Sequence, residues 1–335
     1  MKNQRGIALF FVLWVLTLLA VIAGEFCHVM RTEVNIARNF KEMTQSYYIA
    51  QAGLNQALVE LIKSETTPFR PPAPEESQEV PEIEWRINAE IPPFDFAGGQ
   101  FEVRIENESG KININRADDK LLRMMLNSFS LDESEVDVIV DSILDWRDTD
   151  NLHRLNGAED DYYEALPKPY KAKNGDFDAI EELLLVRGIS PELFNRGLRD
   201  LITVDMDANP ARTPVKPARR GKFNYGRINV NAASPRMLRS LPEMTDDLVD
   251  SILEFRKEAD FQSLPELLTL VGADVYAAIA PFVALAKTPY YTIKAMGRIE
   301  GSRVRRGVGA VVVIDPTLKL KYRIVQWLDR VENLS

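Results

Sequence analysis

The sequence predicts an α+β fold in which a long N-terminal helix, transmembrane at its start and amphipathic afterwards, packs on an antiparallel β-sheet. Three observations lead to this fold. An apolar run spans 7–23, strand-like alternation occurs at 83–108 and again at 290–331, and an internal repeat lies between the two strand regions. Strands on both sides of a helical middle section imply a large, mostly α-helical domain inserted between the strands of one sheet.

The composition is that of an ordinary globular protein and excludes several classes of function. The 335 residues are enough for two or three domains, with 27% charged and 45% hydrophobic residues. A formal net charge of −9 argues against broad nucleic-acid binding, which relies on Lys and Arg. Cys27 is the single cysteine, so no internal disulfide forms, and two histidines exclude a histidine-rich zinc site.

The apolar run at 7–23 is interrupted only by Thr17. Seventeen residues in a helix extend about 26 Å, the lower limit for crossing a hydrocarbon core. Lys2 and Arg5 precede the run and Glu25 follows it, which predicts a cytoplasmic N-terminus. Three interpretations are open: a cleaved secretory signal, a lipoprotein signal, and a helix that stays attached. The lipoprotein signal is excluded, because it needs a small residue before the cysteine and bulky Phe26 stands there.

The residues after the run favour a helix that stays attached and continues. Between 26 and 63 there is no proline and one glycine, Gly53. Apolar residues recur every seven positions and form a stripe on an amphipathic helix. One series is Phe40, Tyr47, Leu54 and Leu61, and the other is Ile36, Met43, Ala50 and Ala57. A cleaved signal followed by a core helix remains the simpler alternative.

A proline-rich linker and then strand patterns follow the helix. Residues 66–82 contain five prolines and no long apolar run, which is typical of a surface linker. Alternation predicts strands at 83–91 and 100–108. The C-terminal part is rich in β-branched and aromatic residues divided by turn signals. It predicts an antiparallel meander with strands at 290–300, 303–315 and 318–331.

The middle section contains two copies of one helical unit. The matching blocks are 111–123 with 227–239, 140–147 with 249–256, and 177–188 with 261–272. Asp118 and Ser234 are predicted helix caps at equivalent positions. A basic, proline-containing linker at 209–222 separates the copies.

Both copies resemble helix-hairpin-helix modules, but their charge argues against nucleic-acid binding. The nucleic-acid-binding versions usually carry two glycines in the hairpin, whereas here each hairpin has one, Gly188 or Gly272. Residues 111–205 contain 21 acidic and 12 basic residues. A structural helical scaffold is therefore predicted.

The first copy carries about 25 extra residues, 148–172, and these are strongly acidic. Seven carboxylates crowd the stretch 145–164, against Arg147 and Arg154. Crowded carboxylates repel one another unless water or a cation intervenes. Calcium, which takes six to eight oxygen ligands in irregular geometry, would relieve this repulsion. The stretch is not an EF-hand because Leu152 occupies the third ligand position. Composition alone leaves a solvated acidic loop equally open.

No enzyme activity is predicted, because motifs for nucleophilic catalysis and phosphate binding are absent; the many carboxylates leave a glycosidase-like acid pair open, but nothing singles one out. A nucleophile needs an adjacent base, whereas Cys27 lies at the membrane exit and His28 and His153 occur in unrelated contexts. No phosphate-binding glycine loop or nucleophile elbow is present.

The N-terminal residues resemble those of type IV pilin-like proteins. A short basic leader ends at Gly6 and is followed by "IALFFVLWVLTLLA" and the long amphipathic helix. The resemblance implies cleavage by a prepilin peptidase after Gly6 and methylation of Ile7. The usual Glu at the fifth mature position is replaced by Phe11, as in the K-type minor pseudopilins of type II secretion. A carboxylate in lipid is costly without a partner, so its absence fits a subunit with no neighbour above it.

The resemblance to the K type also implies a calcium-binding acidic loop in the helical insertion. It favours Asp148, Asp150 and Glu159 as ligands. Asp145 and Asp161 are the second choice. The neighbouring tyrosines at 162 and 163 are predicted to pack rather than to bind the ion.

The resemblance implies the following domains. They are a leader (1–6), a pilin helix (7–65, membrane-spanning at 7–24), a pilin-like α/β domain (66–110 and 287–335) and an inserted helical domain (111–286) with repeats at 111–205 and 227–286.

The implied function is a minor pseudopilin at the tip of the type II secretion pseudopilus, which starts assembly and supports export across the outer membrane. Its implied location is the bacterial inner membrane, single-pass, with the bulk in the periplasm. Its implied partners are other minor pseudopilins, the major pseudopilin, the prepilin peptidase, exported proteins and the outer-membrane secretin. The alternatives are a type IV pilus minor pilin or tip adhesin, and a secreted helix-hairpin-helix DNA-binding protein. The predicted partner-helix interface consists of Phe40, Met43, Tyr47, Ala50, Leu54 and Leu61.

Overall fold

A computed structural model of the chain describes residues 5–66, 85–87, 91–204, 226–331 and 334, excepting the side chains of 5–8 and 66. Residues 1–4 of the predicted leader and the 209–222 linker lie outside these ranges, as does the 66–82 linker beyond its first residue.

The first element is a helix of 62 residues, α1 (Arg5–Thr66), about 93 Å long. Every residue from Leu9 to Lys41 is exposed. The part of the chain that the structure describes contains one helix, α1, that is long and apolar enough to cross a membrane. The prediction of one continuous N-terminal helix is confirmed.

Five antiparallel strands form the main sheet, in the order β1-β2-β7-β8-β9. They are β1 (Phe94–Phe96), β2 (Gly99–Asn107), β7 (Tyr290–Ile299), β8 (Arg305–Ile314) and β9 (Tyr322–Val331). Strand β2 pairs directly with β7, for example at Ile105 and Ile293. The chain therefore leaves the sheet after β2 and returns to the neighbouring strand after the helical region, as the predicted insertion requires.

The predicted strand at 83–91 is wrong at its described positions. Residues 85–87 and 91 are irregular, and the first strand begins at Phe94. Trp85 instead stacks on the Phe94 ring, and Arg86 donates to the Lys257 carbonyl oxygen at 2.6 Å. At 85–87 the chain is irregular, buries Ile87 and hydrogen-bonds Arg86 to a distant carbonyl oxygen. The predicted strand at 100–108 and the C-terminal meander are confirmed.

The C-terminal third of α1 packs on one face of the sheet. Its buried residues follow the helical spacing of three and four and include Ile49, Ala50, Leu54, Ala57, Leu58 and Leu61. Alternate residues of β2, β7 and β8 meet them, so one face of the sheet and one stripe of the helix form a single core.

This packing corrects half of the predicted partner interface. Ala50, Leu54 and Leu61 are at most 2% exposed, because the chain's own sheet covers that stripe of the helix. Tyr47 is half-buried at the margin of the same core. Phe40 and Met43 lie before the helix reaches the sheet and stay 71% and 45% exposed. A partner can therefore reach the N-terminal half of the predicted set.

We expect Ile293→Val to lower the free energy of unfolding by about 0.5–1.5 kcal/mol, because it removes one buried methylene group beneath α1. Ile293 is fully buried, and both residues are β-branched, so strand propensity is retained. The matched control is Ile324→Val on the edge strand, where the side chain is 42% exposed. Chemical denaturation of the full chain in detergent measures both. Equal losses in the two variants would contradict the described core.

Between β2 and β7 the chain is mainly helical. Its helices are α2 (Asp119–Leu126), α3 (Glu133–Arg147), α4 (Asp160–Glu164), α5 (Pro191–Leu193), α6 (Arg199–Leu201), α7 (Pro235–Ser240), α8 (Asp246–Glu258), α9 (Leu264–Val271) and α10 (Ala273–Ile279). Short strands β3 (Ile112–Asn113) and β4 (Ile202–Thr203) pair in parallel, as do β5 (Ile228–Asn229) and β6 (Val283–Ala284). The described side chains of this region form a second apolar core, separate from that of α1 and the sheet.

The two copies of the repeat use the same hydrogen bonds. Asn115 bonds both the N–H and the carbonyl oxygen of Phe177, and Asn231 does the same with Phe261. The predicted cap Asp118 accepts from the Leu121 N–H, and its equivalent Ser234 accepts from the Met237 N–H. Both cap predictions are confirmed.

Buried polar contacts hold the helical region to the sheet. Asn107, at the end of β2, donates to the Thr288 carbonyl oxygen at 2.8 Å. Asn229 donates to the Ser109 hydroxyl at 3.1 Å, which joins the second repeat to the same crossing point. These buried amide groups have partners, and such satisfied groups favour one orientation of the insertion.

Candidate functional site

The acidic loop begins where α3 ends and returns at α4. Asp148 caps the C-terminus of α3, and Glu159 stands immediately before α4. Together with Asp150 they bring three carboxylate groups together, each with an oxygen within 4.8 Å of the other two. The three residues that were favoured as ligands therefore form one cluster.

Glu159 is the least compensated group of this cluster. It is 1% exposed, and neither of its carboxylate oxygens has a hydrogen-bond partner. Asp148 Oδ1 is also buried without a partner. Burial, followed by the charges of Asp145, Asp148 and Asp150, raises the pKa of Glu159 to about 7.

The other two predicted ligands are used differently. Asp145 is fully buried and forms an ion pair with the Arg154 guanidinium, while it also accepts from the Arg154 N–H at 3.0 Å. Burial raises the pKa of Asp145, against the lowering effect of Arg154. Asp161 is exposed in α4 and accepts from the Tyr162 N–H. Neither residue belongs to the group of three.

Arg154 is the residue whose role the sequence pattern missed. Its guanidinium bonds both Asp145 and, at 2.7 Å, Asp148 Oδ2, so it neutralises one side of the acidic cluster. The nine-residue separation of Asp145 and Arg154 concealed this pair. An arginine inside an acidic stretch is the signal that could have found it.

The loop is fixed to the helices by contacts outside the carboxylate cluster. Asp141 accepts from the Asn156 N–H at 3.0 Å, and Arg187 donates to the Gly157 carbonyl oxygen at 3.0 Å. Tyr163 is fully buried and packs edge-on against Trp146, as predicted for a packing residue. The base of the loop is thus attached to α3 and to Arg187, which places the carboxylates next to one another.

The cluster suits a hard cation. Three carboxylates provide oxygen ligands, and three of their oxygens are buried without partners, which is the arrangement that calcium binding would satisfy. With only carboxylate oxygens in the group, and neither cysteine nor histidine, the chemistry favours calcium over zinc.

We expect the calcium-free protein to lose stability as the pH rises from about 4.5 to about 7. Glu159 titrates near its ordinary value of 4.5 when unfolded and near 7 when folded, so the folded state binds more protons between these values. The shift corresponds to at most about 3 kcal/mol. Thermal melting of the full chain and of Glu159→Gln in EDTA across this pH range isolates the effect. A constant difference between the two proteins would contradict it.

Fold and site together define a class: a pilin-like protein whose first helix is long and apolar enough to cross a membrane and whose helical insertion carries an acidic loop. The family model described as type II secretion system (T2SS), protein K, matches residues 103–206. Type II secretion system protein K of Pseudomonas aeruginosa is 25% identical over 81% of this chain and 79% of its own length. The protein K of Pectobacterium carotovorum subsp. carotovorum is 36% identical, over 27% of each chain.

A solved structure agrees with the fold. One chain in the crystal structure of the GspK-GspI-GspJ complex from the enterotoxigenic Escherichia coli type 2 secretion system matches with a TM-score of 0.55 and 15% identity. The match covers 89% of this chain and 99% of that one. The predicted resemblance to the K-type minor pseudopilins of type II secretion is confirmed.

Proposed function

We propose that the chain caps the tip of the type II secretion pseudopilus and starts its assembly for protein export across the outer membrane. One combination carries the proposal: α1 is exposed on every side from Leu9 to Lys41, and a bulky helical insertion is attached to the sheet. The exposed helix needs lipid or other helices to cover it. The insertion adds bulk that a regular array of pilin-like subunits would have to accommodate at every position, whereas the end of a filament has free space.

The anchor of this subunit lies in the inner membrane, with the N-terminus in the cytoplasm and the body in the periplasm. Lys2 and Arg5 before the apolar run support this orientation. The prepilin peptidase cleaves after Gly6, and Ile7 becomes the methylated N-terminus. Phe11 supports the tip position because it removes the buried carboxylate that an overlying neighbour would have to neutralise.

The proposed partners are other minor pseudopilins in a tip complex, with the major pseudopilin below them. The matched solved structure is a GspK-GspI-GspJ complex, which supports the first of these partners. Exported proteins and the outer-membrane secretin are the proposed contacts of the free end. Phe40 and Met43, exposed on α1, are the proposed contacts for partner helices.

Calcium is the proposed structural ion of the acidic loop, held by Asp148, Asp150 and Glu159. It would neutralise carboxylates that otherwise repel one another next to the buried Asp145–Arg154 pair. The ion would thereby hold the loop between α3 and α4 in one conformation.

The proposed role is structural, without catalysis and without nucleic-acid binding. Among the residues that the structure describes, the two carboxyl groups with raised pKa, Asp145 and Glu159, lie in the acidic loop. They do not line the cleft between the sheet and the helical insertion, which contains Glu106, Glu108 and Lys111. The acidic surplus of the first repeat supports the absence of a nucleic-acid partner.

Deleting the gene from its bacterium tests the tip role. We expect at least a tenfold loss of protein export, restored by the wild-type gene, and far fewer filaments when the major pseudopilin is overproduced. A strain lacking the major pseudopilin provides the control for complete loss of filaments.

Immunogold labelling of an epitope-tagged chain completes the test. The label is expected at one end of each filament. Label distributed along the filaments, or export that is unchanged by the deletion, would contradict the proposed function.

A further inference from the structure

The turn between β7 and β8 concentrates positive charge at one end of the sheet. Residues 298–306 contain four arginines and one acidic residue, in a chain whose net charge is −9. Arg303 and Arg305 are exposed, and Arg306 is half-buried with a bond to the Asp329 carbonyl oxygen. Among the described residues, the side chains of Arg303 and Arg305 have no hydrogen-bond or ion-pair partner. These two residues and Arg306 are called the arginine turn below.

The arginine turn is held against α1 at the point where the helix leaves the sheet. The Ser302 hydroxyl donates to Glu42 Oε2 at 2.6 Å, and the Ser46 hydroxyl contacts the Val304 carbonyl oxygen at 3.5 Å. Glu42 Oε1 accepts from Arg38 Nε at 3.1 Å, so both oxygens of this carboxylate are already occupied. The polar side of the turn is thus bound to α1, and the free guanidinium groups remain available to a partner.

Exposed apolar residues of α1 begin next to this turn. Ile36, Phe40 and Met43 are 57%, 71% and 45% exposed. Met43 follows Glu42 by one residue, which is about 100° around the helix. Ile36 and Phe40 lie further round the helix, about 120° and 160° from Glu42, so a partner that covers these side chains packs beside the turn and not on top of it. An apolar centre with a charged rim is the usual composition of a protein interface.

The position of the turn argues against a lipid ligand. Gly24 ends the predicted membrane span, and the helix from there to Glu42 extends about 27 Å. Electrostatic attraction between exposed charges is screened over about 8 Å at physiological ionic strength. Anionic headgroups around the span are therefore beyond the reach of Arg303 and Arg305 when α1 stands upright in the membrane.

We propose that the arginine turn binds exposed carboxylates on a neighbouring pilin-like subunit, whose helix covers Ile36, Phe40 and Met43. The guanidinium fork matches a carboxylate with two parallel hydrogen bonds, so two free arginines are suited to an acidic pair. This inference rests on the proposed function, because the partner is a subunit of the same filament. It adds the chemistry of the contact: the partner surface at this level is acidic.

The test uses the full chain in detergent and the purified minor pseudopilins of the same secretion system, with affinity measured at several salt concentrations. Arg303→Glu combined with Arg305→Glu is expected to weaken binding at least tenfold at low salt and to flatten its salt dependence. Arg303→Lys combined with Arg305→Lys retains the charge and is expected to lose only a few-fold. The matched control, Lys120→Glu with Lys319→Glu, changes the net charge equally at exposed sites elsewhere.

Each alternative occupant has its own signature. Unchanged subunit binding by the Arg→Glu protein, with wild-type binding intact, overturns this inference and leaves the proposed function standing. A wild-type chain that binds none of the subunits contradicts both. Loss of binding to phosphatidylglycerol vesicles, with subunit binding retained, assigns the turn to lipid and also overturns the inference. Dimerisation of the chain that depends on these arginines, in the absence of other subunits, would show a second copy as the partner and would also overturn the inference.

Discussion

Gly297→Val is expected to detach α1 from the sheet and to lower the free energy of unfolding by about 3 kcal/mol, the upper end of the usual cost of overpacking. Gly297 lies on β7 where the helix backbone comes very close. A Cβ atom there would overlap the Ser46 carbonyl oxygen and lie 2.5 Å from the Ala50 nitrogen. Both atoms belong to the backbone of α1, which cannot rotate away as a side chain can. The helix must therefore move, and its buried face must lose contact with the sheet.

Hydrogen exchange of the full chain in detergent measures which helices lose protection in the variant. Protection is expected to fall in α1 between residues 46 and 61 and to remain in α2 and α3, whose core is separate. Gly175→Val is the matched control, because a Cβ atom there meets only the Lys173 carbonyl oxygen at 3.8 Å. Exchange in α1 that stays at the wild-type rate would show that the close approach is not required.

Glu159→Gln is expected to have opposite effects with and without calcium. In EDTA the variant should melt at a higher temperature than the wild type, because it removes a buried carboxylate that has no partner and that neighbouring carboxylates repel. In calcium the order should reverse, because the variant lacks a charged ligand. A ligand at a hundred times its Kd stabilises the folded state by about 2.7 kcal/mol, a shift of roughly 5–10 °C for a domain of this size.

Asp161→Asn provides the control for this second prediction. It removes the same charge from the same loop, but Asp161 is exposed and lies outside the three-carboxylate group. Its calcium shift should therefore remain close to that of the wild type. The proposed site is wrong if calcium leaves the melting temperature of the wild type unchanged, or if Glu159→Gln keeps the full shift.

The main elements of the fold could be predicted because they depend on local patterns. The apolar run and the seven-residue repeat predicted α1, alternation predicted β2 and the C-terminal meander, and hydroxyl and carboxylate side chains predicted the caps at Asp118 and Ser234. Alternation failed at 85–87, where the side chains are positioned by distant contacts such as that of Arg86 with Lys257. The period of a sequence does not reveal whether a strand partner is present.

The acidic site could be predicted only in part. Charge density identified the loop, because repulsion among carboxylates is visible in composition, and the family resemblance favoured the three residues that form the cluster. Composition could not separate Asp145 and Asp161 from them. That distinction depends on Arg154, which folds back to pair with Asp145 and Asp148, and on the orientation of α4.

The amino-acid sequence by itself determined that this chain has a long, membrane-compatible helix, a sheet interrupted by a repeated helical insertion, and an acidic loop. Those properties follow from the hydrophobic period, the β-propensity and the local charge, which depend only on residues close together in the sequence. Only the tertiary structure decided which stripe of α1 the sheet covers, leaving Phe40 and Met43 exposed, and which carboxylates of the acidic loop meet. Both outcomes depend on residues far apart in the chain, whose proximity arises only when β2 and β7 pair and the insertion closes.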